Sequence, residues 1–187
     1  MTLANIMKLA LRQLDEAAED IAEYDGLFKS YANMGYMIAI RMFYRPREVF
    51  ALQTDKRGCA DIRVLPIERV IAVQDEKENE IGFDVDGLGM AIMTGRRDAP
   101  VRVLAQTKRP PLIRDTDEPD LPEWAHPALA DYICYRHLSS GSLAKQSRAE
   151  FFRQSFYQQM RALTPQGAGS VTRMKNLYTV TDARYRG

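Results

Sequence analysis

Histidine and cysteine are scarce in this chain, two of each among 187 residues. That supply is too small for a closed zinc site, a disulfide framework or a convincing Ser, His and Asp catalytic set. Long apolar runs are missing as well: the longest, residues 34–44, is broken by Gly35 and Arg41 and cannot cross a bilayer. Neither sign of charge dominates. Twenty-six Lys and Arg face 25 Asp and Glu, and the net charge of +1 argues against a whole-molecule field for nucleic acid or acidic membranes. There is no glycine-rich phosphate loop and no Gly-x-Ser-x-Gly elbow. The first residues carry Lys8 and Arg12 and no small-residue cleavage site, so they read as a mature amphipathic helix and not as a signal peptide. With no sign of an oxidising compartment, a cytosolic folding environment is expected.

What the chain does contain is a composition ordinary for a globular domain, 45% hydrophobic and 27% charged. A chain of this length buries roughly 70% of its unfolded surface as a single domain. The periodicity predicts helices over 2–14, 27–45, 123–138 and 143–163, a β region over 48–107, and an extended arm over 164–187. The fold class is therefore α+β, mainly a helical bundle with an inserted antiparallel β-sheet or meander.

In the first helix Leu3, Ile6, Met7, Ala10, Leu11 and Leu14 share one face, with Thr2 as the N-cap. An acidic stretch, 15–25, leads into the second helix, where Leu27, Tyr31, Met34, Ile38 and Met42 form a stripe expected to face the core. Tyr36, Ile40 and Phe43 are apolar on its other side, so the second helix is either deeply buried or pinned between its core and a partner. Arg45 and Pro46 end it.

Strands are expected at 48–54, 60–65, 70–74, 80–85, 90–94 and 101–106, with turns at 55–58, 86–89 and 95–100. An extended acidic connector rich in proline follows, 108–121. The last two helices form an antiparallel hairpin. In the first of them Ala125, Ala128, Leu129, Tyr132 and Ile133 share a face, and Pro122 or Pro127 suits its opening turn. The second carries Ala149, Phe152, Phe156, Met160 and Leu163, with Ser147 and Glu150 as a capping box or an earlier start at Ser142. Beyond Leu163 the residues are lean in aliphatics and basic, and an arm there either stays without fixed structure or orders on a partner.

Few constellations suggest chemistry. Glu123 and His126 have the spacing of half a di-iron motif, but the other half is missing, which leaves His126 as a helix-terminal residue and His137 as a surface one. Cys134 is three residues before His137, but two ligands do not make a closed zinc site, so a thiol packed in the helix hairpin is expected. Asp84, Asp86 and Gly87 resemble the start of a calcium loop without its later ligands, so a plain turn is expected. The carboxylate pairs Asp75 with Glu76 and Asp115 with Asp117 read as solvated loops. Arg96, Arg97, Arg102, Lys108 and Arg109 could gather on one sheet edge, with Phe50 and Phe83 as the only stacking aromatics for nucleic acid. No catalytic, cofactor-binding or metal site is expected, and no enzyme.

The order of these parts resembles the head-to-tail connector, or adaptor, proteins of tailed bacteriophages. The likeness spans about residues 2–163. It rests on the short first helix, the second helix ending near Arg45, Leu65 and Pro66 ahead of 70–73, and Pro110, Pro111 and Leu112 leaving the sheet. The most telling stretch is Leu121, Pro122 and Glu123, then His126, Ala128, Leu129, Tyr132 and Arg136, followed by Arg148, Ala149 and Phe152.

The resemblance implies a structural virion protein of the neck. Copies would pack side by side in a ring, commonly of twelve, that lengthens the DNA channel below the portal protein and receives the next head-completion or tail component. Genomic DNA would pass through without sequence-specific binding, and no membrane or cofactor is involved. The arm would dock on the portal through Arg173, Lys175, Leu177, Tyr178, Arg184 and Tyr185, and Tyr36, Ile40 and Phe43 would form the contact between subunits. Before assembly the subunit would sit in the host cytoplasm. Two other readings are another head-completion or tail-terminator ring protein and a small nucleic-acid-binding module.

Overall fold

A computed structural model describes residues 1–15 and 21–164. The expected arm residues from Arg173 to Tyr185 lie outside them. The fold is α+β, with four α-helices and antiparallel sheets.

Helix α1 (Leu3–Leu14) begins at Thr2, whose side chain accepts from the Asn5 amide, and closes at Asp15 in the left-handed region, φ 64°. All six apolar residues of its expected face are buried. Helix α2 (Ile21–Ile38) starts six residues before the expected position and widens into a π-helical turn, Ala39–Tyr44. Arg45 terminates it with φ 48°, its amide donating back to Ile40 O at 2.8 Å, and Pro46 follows. Helix α3 (His126–Leu138) is preceded by a 3-10 turn, Glu123–Ala125, and carries Pro127 in its first turn. Helix α4 (Leu143–Arg161) starts after Ser142 and buries Ala149, Phe152, Phe156 and Met160. The capping box expected at Ser147 and Glu150 is not formed: Ser147 donates to Leu143 O, and Glu150 pairs with Arg153.

The β unit is inserted between α2 and α3. Its strands are β1 (Arg47–Gln53), β2 (Cys59–Asp61), β3 (Ile67–Gln74), β4 (Glu80–Ile81), β5 (Phe83–Val85), β6 (Ala91–Thr94) and β7 (Pro100–Thr107). They do not form one meander. One antiparallel sheet has the order β1-β7-β3-β4 and the other β2-β6-β5. The expected strand 80–85 is split at Gly82, where the chain passes from one sheet to the other. β7 is the central strand of the larger sheet, with Val101, Val103 and Ala105 buried at alternate positions.

Two hydrophobic cores result, one built by the helices together with Leu112 and Leu121 of the connector, the other within the β unit. The β core gathers Ile62, Ile67, Val73, Ile92, Val101, Val103 and Ala105, with Phe50 and Phe83 packed at its margin. In the helical core α3 is central and buried nearly all round, from Ala128 through Cys134. α1, α2 and α4 surround it. An ion pair from Arg41 to Glu68 (3.0 Å) ties the π-helical turn to β3, and Arg109 of the connector pairs with Glu48 of β1 (2.9 Å) and with Asp120.

The acidic connector is held to the bundle. Asn33 donates to Leu112 O and accepts from Leu112 N, both at 2.7 Å. Leu3 and Ala4 donate their amides to Asp117 O and Asp115 O, at 2.8 and 3.0 Å, so the connector satisfies the orphan donors at the start of α1.

Candidate functional site

The side of α2 that faces the core is the reverse of the expected one. Phe28, Ala32, Tyr36, Ala39 and Ile40 are buried, and the stripe assigned to the core is the outer one: Leu27, Met34 and Met42 are 44, 40 and 55% exposed. Tyr31 and Ile38 between them are half-buried. Tyr36 and Ile40 are only 1% exposed, so they have no surface to offer a neighbouring subunit. The Tyr36 hydroxyl accepts from the Asp120 amide at 3.2 Å, and burial raises its pKa above the usual phenol value. Phe43 is half-buried with its ring 6.2 Å from that of Tyr157.

The reversal has a local cause. Gly35 has no side chain, and the Tyr132 ring of α3 fills the space beside it. Two helices approach closely only over small residues, so Gly35 fixes the side of α2 that meets α3.

A cluster of aromatic and cationic side chains runs along α3 on its α2 and α4 sides. On α3 the Tyr132 and Tyr135 rings are 5.6 Å apart edge to face, and Arg136 follows them. Tyr31 on the α2 side lies 5.7 Å below the Arg136 guanidinium. On the α4 side are Arg153 and Tyr157, 5.9 Å apart, and Phe43 meets Tyr157 at one end. Arg153 is neutralised by two bonds to Glu150, at 2.6 and 2.7 Å, which hold the Glu150 carboxyl down to about 2. Arg136 has no such partner: its Nε is buried without an acceptor among the described residues. Sequence reasoning noticed Arg136 only within the family likeness. The available signal was a guanidinium four residues after Tyr132 on a helix apolar over the preceding two turns save for Asp131.

The other candidate residues are occupied structurally. His126 is buried and Glu123 exposed, so they do not share a site. His126 Nε2 donates to Leu121 O at 2.9 Å, leaving Nδ1 to accept from the Met1 amino group at 2.7 Å. His137, expected on the surface, packs edge-on against Tyr24 and Phe28 at 5.3 and 5.7 Å. Cys134 is buried against α1, its thiol 3.4 Å from Ala10 O, and burial pushes its pKa up to about 12. No group of three or more His, Cys, Asp or Glu side chains able to hold a metal occurs among the described residues.

The acidic turns cap backbone. Asp86 accepts from the Met90 and Ala91 amides across the Gly89 turn, and Asp84 is exposed. Asp75 accepts from the Asn79 and Lys77 amides, and the Asn79 amide above all holds its carboxyl below the usual range. Asp117 is held low in the same way, chiefly by the Arg114 amide. The arginines considered for nucleic acid are largely neutralised. Arg96 pairs with Asp75, Arg102 with Glu78, and Arg109 with Glu48 and Asp120. Arg97 and Lys108 are exposed.

The arrangement suits contact with another polypeptide. It offers an apolar stripe on α2 and an aromatic cluster in which the Arg136 Nε lacks an acceptor among the described residues, none of whose helices is long and apolar enough to cross a membrane. Compared with known protein families and with curated proteins, the chain matches none.

Proposed function

We propose that this is a non-enzymatic structural protein, a ring-forming head-to-tail adaptor of a tailed-phage virion. It docks on the portal protein by its C-terminal arm, extends the DNA channel and receives the next tail component. The observation that supports this reading is the uncovered stripe of Leu27, Met34 and Met42 on a helix whose opposite face is fully used in its own core. A stripe of this kind is stabilised when bundles stand side by side, and a head-to-tail contact of such surfaces closes a ring. The stripe replaces Tyr36 and Ile40 as the contact between subunits.

Electron microscopy of the protein mixed with its portal tests the proposal. Rings stacked on the portal are expected for the full chain and none for a variant lacking residues 171–187. Normal attachment by the truncated protein would refute the docking role of the arm, and portals that never capture the full chain would refute the adaptor reading.

A further inference from the structure

The outer face of the larger sheet gathers cations at the end nearest the helices. In β1 Phe50 and Leu52 pack against the β core, so Arg47 and Val49 lie on the opposite face. The register sets Arg47 opposite Gln106 of β7, and Gln106 opposite Arg69 of β3. Two exposed arginines therefore flank one glutamine across three strands, with their Cα atoms about 10 Å apart at the ordinary strand spacing. The chain extends this row toward the bundle. The Thr107 amide donates to Pro46 O and the Lys108 amide to Pro66 O, which brings exposed Lys108 beside exposed Arg45.

The acids next to them in the chain are committed elsewhere. Glu68 is held by Arg41 at 3.0 Å and by Gln106 at 3.3 Å, and Glu48 is held by Arg109 at 2.9 Å. Arg102, four residues from Gln106 along β7, is neutralised by Glu78, and Glu80 lies at that same far end, opposite Gln74. Arg45, Arg47, Arg69 and Lys108 thus have no ion pair among the described residues. Cations gathered on one face repel one another until an anion joins them. A guanidinium fits a phosphate through two parallel hydrogen bonds, and a row of such groups fits a row of phosphates. The aromatics of the strands, Phe50 and Phe83, pack at the margin of the β core, so they give bases nothing to stack on from this face. The face therefore suits the backbone of a duplex and not a single strand.

We propose that this end of the sheet holds the phosphate backbone of duplex DNA through Arg47, Arg69 and Lys108, with Arg45 beside them, and without reading base sequence. Of the basic residues weighed from the sequence only Lys108 belongs to it. The proposal deepens the adaptor reading, in which this face lines the channel, and rests on that reading for the source of the DNA.

The test is fluorescence anisotropy of a labelled short DNA duplex of mixed sequence titrated with the full chain. Saturable binding is expected, equal for duplexes of different sequence and weakened about fortyfold between 50 and 200 mM salt, as three neutralised phosphates require. Arg47→Gln combined with Arg69→Gln removes two of the three, so the loss over the same salt range shrinks to about fourfold. Lys108→Gln alone reduces it to about twelvefold and keeps the test decisive if the double variant fails to fold. Arg97→Gln, exposed on the loop before β7, leaves affinity and salt dependence unchanged. Absence of saturable binding, a salt dependence unchanged in the variants, or displacement by polyglutamate as readily as by unlabelled duplex at equal charge would each overturn the DNA face. The last of these would assign it to an acidic polypeptide. The adaptor reading fails separately: duplex binding with no rings on the portal would remove the adaptor and keep the DNA face, whereas rings from a chain that binds no duplex would do the reverse.

Discussion

A methyl group at Gly35 would sit 2.9 Å from two ring carbons of Tyr132, closer than a packed side chain tolerates. Gly35→Ala therefore sets a helix-propensity gain of about 1 kcal/mol against an overpacking cost of about 1–3 kcal/mol. The ring is buried among Gly35, Tyr135 and Phe156 and has little room to move, so the clash dominates. Urea unfolding is expected to show a lower midpoint for Gly35→Ala; an unchanged or higher one would mean that α2 does not need this close approach.

Asp131 links three helices, accepting from Gln13 of α1 (2.9 Å) and from Ser155 (2.6 Å) and Gln159 (2.9 Å) of α4. Burial raises its pKa more than these donors lower it. Between the ordinary carboxyl value and the raised one, the folded chain holds more protons than the unfolded chain. Stability contributed by this group therefore falls as pH rises through that window and is level above it. Asp131→Asn should remove this part of the slope and cost about 1 kcal/mol at neutral pH through lost acceptors. Stability curves of the two proteins that run parallel across acidic pH would contradict the assignment.

The two thiols should separate cleanly in a labelling experiment. Cys59 is partly exposed at the start of β2, whereas Cys134 is fully buried and its thiolate strongly disfavoured. In native protein an alkylating reagent should modify Cys59 alone, with Cys134 reacting only after denaturant is added. Prompt labelling at Cys134 would show that α1 opens readily from α3.

The reversed faces of α2 make opposite mutational predictions. Replacing Leu27, Met34 and Met42 with serine should change monomer stability by no more than about 0.5 kcal/mol each while weakening ring formation. Tyr36→Phe should cost about 1 kcal/mol by removing the acceptor of the Asp120 amide and leave assembly intact. Chemical denaturation beside electron microscopy of portal mixtures reads both effects, and a stripe variant that assembles normally would remove α2 from the subunit contact.

Where one face of an element is apolar and the other polar, the sequence was sufficient. The stripes of α1 and α4 are buried as read, and the turn at Asp86 to Gly89 forms where its glycines permit. On α2 both faces are apolar, so periodicity could not choose between them. The choice lies in a contact with α3 nearly a hundred residues away and in the π turn that rotates the end of the helix. Strand order was illegible for a related reason, because β7 separates β1 from β3 through pairing that no local pattern encodes. The connector read as a spacer because its prolines and acids suggest solvation, while its anchor, Asn33, is a single polar residue on a helix. Arg136 stood out little because an arginine at a helix surface is ordinary until its surroundings are known.

The carbonyls of Asp115 and Asp117 that receive the Ala4 and Leu3 amides impose an order on events during synthesis. α1 leaves the ribosome before the β unit and the connector, yet its opening turn cannot be finished until both have emerged. A nascent chain halted at residue 107 should exchange these two amide hydrogens freely, and the finished protein should protect them, so a helix made ahead of the β unit is closed only after it.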